Sequence, residues 1–302
     1  MRAAALTLQG FPESAPQARR LAAALKIPFS GIAARRFPDG ESLVRVGDVA
    51  DTVILYRSLD DPNTKLVELM LAASALRDAG ARRLVLVAPY LCYMRQDAAF
   101  HDGEAVSQRI IGRFLDNLID GVITVDPHLH RTSSLEAVFP TARAVAVSAA
   151  DLLATRLRDK GLAGDALIVG PDSESRQWVE AVAAPLGLDV LVGSKLRAGD
   201  RNVTIEIPGI ERAAGRPAVL VDDVISSGAT LAESARLLRA AGATSVDVMA
   251  VHMLGPPPVL AMLKAAGVGA LESADSVPHE TNTVTLAPLL ADAVRDVLED
   301  LD

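Results

Sequence analysis

Cysteine is almost missing from this chain: Cys92 stands alone among 302 residues. A single thiol excludes an intramolecular disulfide. The N-terminal stretch MRAAALTLQGFPESAP has no apolar core followed by a small-residue cleavage site, so the expected compartment is a reducing cytoplasm. Long apolar runs are missing too. The longest, residues 84–94, is eleven residues with a proline inside it, too short to cross a bilayer, and no membrane association is expected. Nor is there an excess of positive charge: 30 basic residues face 38 acidic ones, a net of −8, whereas a nucleic-acid binder presents a basic face. Six Phe, three Tyr and one Trp leave few platforms on which a single strand could stack. Lysine is scarce as well, five against 25 Arg, so a lysine in a polar, irregular segment stands out.

What is present is ordinary globular material, 50% apolar and 23% charged. The length suggests two domains of about 150 residues each. Short Val/Leu/Ile runs alternate with Ala/Leu-rich segments of helical period, the pattern of an α/β chain with parallel sheets flanked by helices. Strands are predicted at 4–8, 52–56, 84–88, 121–125, 166–169, 190–193, 218–222 and 246–251. Helices are predicted near 14–26, 64–79, 106–118, 149–160, 174–185, 230–241, 257–266 and 287–300.

Two helix-to-strand passages, residues 76–88 and 238–250, match at an offset of 162, each with a glycine placed to take the left-handed position after the helix. Carrying the offset backwards puts Asp60-Asp61 under Asp222-Asp223. The chain then reads as a duplication, with domains at 1–145 and 146–302 and Pro140-Thr-Ala-Arg143 as the expected linker; chance likeness of Ala- and Gly-rich helices is the alternative.

The most informative stretch runs from Ala218 to Thr230. Four apolar residues form a buried strand, Asp222 and Asp223 stand at its C-terminal edge, and Ser226-Ser227-Gly228-Ala229-Thr230 makes a small-residue turn into a helix. Ligands bind at that edge in open α/β sheets, and such a turn aims backbone N–H groups and hydroxyls at a phosphate. The acids can then accept hydrogen bonds from sugar hydroxyls. A plain N-cap and a solvated acidic pair are the alternatives. The segment resembles the ribose-phosphate loop of the type I phosphoribosyltransferase fold, which implies two tandem domains of that fold, each a mainly parallel sheet flanked by helices. Residues 60–66 keep the acids but lack glycine, so the second domain alone is expected to hold a sugar phosphate.

Four further segments appear in order: Phe37-Pro-Asp-Gly-Glu41, Tyr93-Met-Arg-Gln-Asp97 with residues 101–107, Val125-Asp-Pro-His128, and Gly170-Pro-Asp172. With Lys195-Leu-Arg197 and residues 200–203, they resemble ribose-phosphate diphosphokinase, the synthetase of phosphoribosyl diphosphate, over residues 37 to about 290. The resemblance implies transfer of the diphosphoryl group of ATP to the anomeric hydroxyl of ribose 5-phosphate, with release of AMP and a need for Mg2+. No G-x-x-x-x-G-K-[ST] sequence occurs, so ATP is held without a P-loop.

By resemblance, Phe37, Asp39 and Glu41 form an adenine-binding loop lent by a neighbouring subunit, which implies a homo-oligomer of at least two chains. On its own, Phe-Pro-Asp-Gly-Glu is also a plain turn. Arg95, Gln96 and Asp97 map onto ATP contacts, His128 onto ATP or the metal, and Asp172 onto a second metal contact. An incidental His130 is preferred to an H-x-H zinc pair, since no third ligand follows. Lys195 and Arg197 are the expected catalytic cations, Arg197 also reaching the sugar, in a stretch that could close as a lid or be a flexible basic hairpin. Asp222, Asp223 and residues 226–230 are the expected ribose 5-phosphate contacts.

Three departures from the usual pattern stand out. Ala229 replaces a common glycine, and Glu174 sits where a glycine-containing turn is frequent, which is unfavourable beside the expected diphosphoryl group unless a cation or Arg176 compensates it. Residues 100–105 resemble archaeal-type members more than the phosphate-activated bacterial type, which leaves control by phosphate and ADP open. A phosphoribosyltransferase that uses the diphosphate product, and a regulatory protein that keeps the fold without turnover, are the competing readings.

Overall fold

The computed structural model describes residues 6–129, 131–198 and 202–301, and for 196–198 and 202–204 the backbone alone. In chain order the regular elements begin with β1 (Leu6–Gly10), α1 (Ala15–Leu25), β2 (Phe29–Gly31), β3 (Ala33–Arg36), β4 (Ser42–Arg45) and β5 (Thr52–Tyr56). Next come α2 (Pro62–Asp78), β6 (Arg83–Val87), α3 (Ser107–Asp116), β7 (Gly121–Val125) and β8 (Arg143–Val147). There follow α4 (Ala150–Asp159), β9 (Leu167–Gly170), α5 (Arg176–Ala183), β10 (Asp189–Val192), β11 (Ser194–Ala198) and β12 (Asn202–Glu206). The last are β13 (Pro217–Ile225), α6 (Ala229–Ala240), β14 (Ser245–Met253), α7 (Pro257–Ala265), β15 (Leu271–Ala274), β16 (Asn282–Val284) and α8 (Ala287–Leu301).

The chain forms two compact units, residues 1–147 with 276–278 and 286–302, and residues 148–275 with 279–285. A linear cut at 145/146 therefore misassigns α8. Its buried stripe of Leu290, Ala291, Val294 and Val297 packs on α1, β7 and β8 of the first unit. At Gly121 on β7 even a Cβ would fall within 2.9 Å of Val297. Nor is 140–143 a linker: Asp116 accepts hydrogen bonds from the Thr141 hydroxyl and the Thr141 and Ala142 amides, and Arg143 begins β8.

Each unit holds a parallel sheet, in the orders β2-β1-β5-β6-β7-β8 and β10-β9-β13-β14-β15-β16. Reading each list in sequence order gives the same topology twice, so the duplication is visible in the strand order itself. In the second unit Leu167, Leu220 and Val248 pack with Leu231, Ala235 and Leu238 of α6 and Leu263 of α7. Val219 and Val221, of opposite parity on β13, serve the face that α5 covers. In the first unit Val53, Leu55, Leu84 and Leu86 pack with Leu66, Leu69 and Leu76 of α2. Cys92 lies in that core, and burial pushes its thiol up to about 12.

The register corrects one correspondence. Tyr56 pairs with Val87 and Val221 with Met249, and Val87 and Met249 are equivalent in the repeat. Arg57 and Ser58, not Asp60 and Asp61, thus occupy the places of Asp222 and Asp223. Three extra residues between β5 and β6 displace the acids, which the sequence offset alone cannot register. Arg57 is 3% exposed. Its Nε reaches Glu13 at 2.7 Å and its Nη2 reaches Glu68, while its guanidinium lies 3.7 Å from the Phe11 ring centroid. A satisfied cation fills the position that the second unit gives to an acid.

Candidate active site

In the second unit, β13 runs on past the acids to Ile225 and stays paired with β14, whereas its pairing with β9 ends at Leu220. Asp222 and Asp223 therefore lie inside a strand, beside the place where β9 gives way to Pro171 and Asp172. The Asp223 carboxylate accepts from the Val224 amide at 2.8 Å. Burial first, then the charges of Asp223 and Asp172, push the Asp222 carboxyl well above its ordinary range. Three carboxylates thus crowd one sheet edge.

The turn that follows, residues 226–228, leads into α6. Gly228 takes the left-handed position at φ +68°, where a Cβ would also come within 2.7 Å of Val259. The permissive residue is thus Gly228. Ala229 is already the first residue of α6, and Thr230 the second, so the alanine meets no demand for positive φ. Ser226 and Ser227 are exposed, at the N-terminus of a twelve-residue helix whose dipole and free amides suit an anion.

Asp172 caps a single 3-10 turn, accepting from the Glu174 amide at 3.1 Å, and its other oxygen receives the Lys195 ammonium at 2.6 Å. Lys195 stands on β11, opposite Ile205 of β12 in an antiparallel hairpin, and Arg197 stands two residues on, opposite Val203. The Arg197 side chain lies outside the described residues, as do His130 and Arg201. Gly193, just before the hairpin, approaches the Pro171 carbonyl so closely that a Cβ would fall 2.6 Å from it. Arg176 pairs with Glu180 at 3.2 Å.

In the first unit, β3 and β4 form an antiparallel hairpin, with Phe37 and Glu41 closing its tip through an amide-to-carbonyl bond of 2.7 Å. Gly40 at φ +95° makes the turn and the Asp39 carboxylate accepts from the Glu41 amide, so the plain-turn features are all present. Arg35 stacks over the Phe37 ring at 4.8 Å. Beneath the tip, a cleft of about 440 Å³ is lined by Glu41, Arg36, Ser42, Asn63 and Val67, among others.

Arg95, Gln96 and Asp97 follow β6 in an irregular segment, Arg95 exposed. Asp97 accepts from Arg131 twice, from its guanidinium at 2.8 Å and its amide at 3.1 Å. Burial would raise the Asp97 carboxyl, but the Arg131 hydrogen bonds and charge hold it below its usual range. Half-buried His128 follows β7, beyond Asp126, whose φ of +36° turns the chain. Sequence reasoning missed Arg131; a basic residue three positions after His128 was its one visible signal.

Among the described residues no group of three or more His, Cys, Asp or Glu is placed to hold a metal. The Asp172 carboxylate is an oxygen donor beside the raised Asp222 carboxyl, which fits a hard divalent cation that takes waters and substrate phosphates as its other ligands.

Residues 7–118 match the N-terminal domain of ribose phosphate pyrophosphokinase, and residues 140–257 match the phosphoribosyl transferase domain. The ribose-phosphate pyrophosphokinase of Methanopyrus kandleri is 34% identical, over 92% of this chain and 95% of its own. Ribose-phosphate pyrophosphokinase 2 of Archaeoglobus fulgidus is 32% identical, over 94% of this chain and 98% of its own. Both relatives are archaeal, in agreement with the reading of residues 100–105. The crystal structure of phosphoribosylpyrophosphate synthetase from Mycobacterium smegmatis superposes with a TM-score of 0.85 at 26% identity, covering 98% of this chain and 99% of that one. The chain belongs to the ribose-phosphate pyrophosphokinase family.

Proposed function

We propose that this chain makes 5-phosphoribosyl 1-diphosphate from ATP and ribose 5-phosphate. The anomeric oxygen of the sugar attacks the β-phosphorus of ATP, the bond from that phosphorus to the α,β-bridging oxygen breaks, and AMP leaves as the hydroxyl proton is lost. The observation that carries this reading is that the second unit has a small-residue turn into α6, two residues after Asp222 and Asp223, and Lys195 held on Asp172.

Each residue has work suited to its chemistry. Residues 226–230 would hold the 5-phosphate on amides and hydroxyls, with Asp222 and Asp223 accepting from the ribose hydroxyls. Transfer at phosphorus needs positive charge more than covalent help, and Lys195, paired with Asp172, and Arg197, two residues along the hairpin, are the proposed cations. Arg95 and Gln96 would contact the phosphates of ATP, and Phe37, Asp39 and Glu41 its adenine, lent by a second copy of the chain. Mg2+ would neutralise charge on the diphosphoryl group; Asp172 in the second unit and His128 in the first are each a proposed contact for metal or nucleotide, the imidazole being the less suited metal donor. Among the described residues no helix is long and apolar enough to cross a membrane, and a cytoplasmic setting with a reduced Cys92 goes with this reading.

The test is AMP release on incubation with Mg2+, ATP and ribose 5-phosphate. Release that depends on the sugar and is lost in Lys195→Ala supports the synthetase. A folded, ATP-binding protein with no more release than that variant would be the regulatory protein instead.

A further inference from the structure

The segment bearing Arg95, Gln96 and Asp97 has no regular secondary structure, yet it is fastened at both ends. Gln108, buried on α3 with 4% exposure, is one fastener. Its side-chain amide donates to the Met94 carbonyl at 3.1 Å, and its backbone amide donates to the Gln96 carbonyl at 3.1 Å. Its remaining oxygen accepts from the Thr132 hydroxyl at 2.6 Å. Arg131, adjacent to Thr132, is the other: its guanidinium and amide hold both carboxylate oxygens of Asp97, whose side chain is 2% exposed. The same guanidinium lies 5.5 Å from the centroid of the Phe100 ring, farther along the segment. Residues 94–97 are thereby tied to residues 131–132, which continue the segment after β7 that carries His128.

We infer that Arg131 is a positioning residue for ATP: through Asp97 it fixes the backbone from which Arg95 and Gln96 project and couples it to the His128 segment. The inference rests on the nucleotide role proposed for those residues. Asp97 then acts as an anchor rather than a ligand, since Arg131 engages both of its oxygens. Removing the guanidinium leaves a carboxylate of 2% side-chain exposure with backbone amides as its partners and no cation, so the segment is expected to shift and not merely lose a surface charge. Phe100 would lose its cation as well.

Binding of ATP with Mg2+ alone, measured by calorimetry, tests this without turnover. Arg131→Met is expected to weaken ATP binding about tenfold, raise the KM for ATP to match, and leave kcat and the KM for ribose 5-phosphate within about twofold. Arg131→Lys, which keeps a charge without the fork, should recover part of the loss, and Thr132→Val should show a smaller loss of the same kind. A general structural defect would instead lower kcat and move both KM values with the unfolding midpoint. That result, or unchanged ATP affinity in Arg131→Met, overturns the inference. Wild-type protein that binds no ATP overturns it as well. Wild-type protein that binds ATP and shows the Arg131 effect, but releases no AMP, contradicts the synthetase reading alone.

Discussion

The Lys195 ammonium sits 2.6 Å from an Asp172 oxygen, between a strand hairpin and the end of β9. Five lysines serve the whole chain, and this one stands beside Asp172, whose charge also bears on half-buried Asp222. Lys195→Ala should lower kcat by about 10²- to 10³-fold and change either KM by less than about fivefold, because a cation aimed at transferring charge acts in the transition state. Lys195→Arg should recover little, since a planar fork does not replace a compact point charge. Steady-state kinetics with both substrates decides it.

Asp222 carries a cost in the folded chain. Burial and two neighbouring acids raise its carboxyl in the folded chain. The folded state thus binds more protons than the unfolded one above the ordinary carboxylate range, and stability falls as pH rises from that range through the raised value. Asp222→Asn should therefore melt a few degrees higher at neutral pH, with the gain vanishing near pH 4, where the unfolded group is itself protonated. The same variant should weaken ribose 5-phosphate about 10- to 100-fold and ATP by less than threefold. Equal loss of both ligands would contradict the sugar role.

Glu272 is the opposite case. Burial alone would raise it, but hydrogen bonds from Arg156 (whose Nε lies 2.5 Å away), Lys160 (2.8 Å) and Thr283 (2.8 Å) bring it down to about 2. Lys160 also bonds Asp247, so the cluster ties α4 to β14 and β15. A depressed carboxyl stabilises the fold above its unfolded pKa of about 4.3, and the contribution is lost as pH falls from there through about 2. Glu272→Gln should cost about 2–3 kcal/mol at neutral pH, shrinking towards zero near pH 2, in urea unfolding across a pH series.

All eight helices predicted from periodicity appear, as do the eight strands, within a few residues at their ends. Their apolar runs or stripes are long enough to be read without knowing their partners. Most of the missed strands are short or polar: β3 and β4 read Ala-Ala-Arg-Arg and Ser-Leu-Val-Arg, β15 has four residues and the edge strand β16 three, whereas β8, Arg-Ala-Val-Ala-Val, begins inside the segment read as a linker. Such segments become strands through pairing, which one-dimensional pattern does not carry. The site was legible where residues adjacent in sequence act together, as at 222–230. It was not legible where residues far apart meet. Arg131 on Asp97 and Lys195 on Asp172 required the fold, and the exchange of Asp222 for Arg57 between the repeats required the strand register.

That exchange carries its own prediction. Arg57, at the first unit's equivalent of Asp222, holds Glu13 and Glu68 and donates to the Lys65 carbonyl at 3.0 Å. Arg57→Met should destabilise the chain by about 3 kcal/mol, because it strands buried Glu68 without its cation. Denaturant unfolding measures this, and a loss below about 1 kcal/mol would show the network to be dispensable.

The central claim is transfer of a diphosphoryl group. ATP labelled at the β-phosphorus, mixed with ribose 5-phosphate, Mg2+ and the protein, follows that group directly. The account predicts label appearing in a sugar diphosphate in equal amount with unlabelled AMP, dependent on the sugar and abolished in Lys195→Ala. Label left in ADP, or AMP formed without labelled sugar, would contradict it.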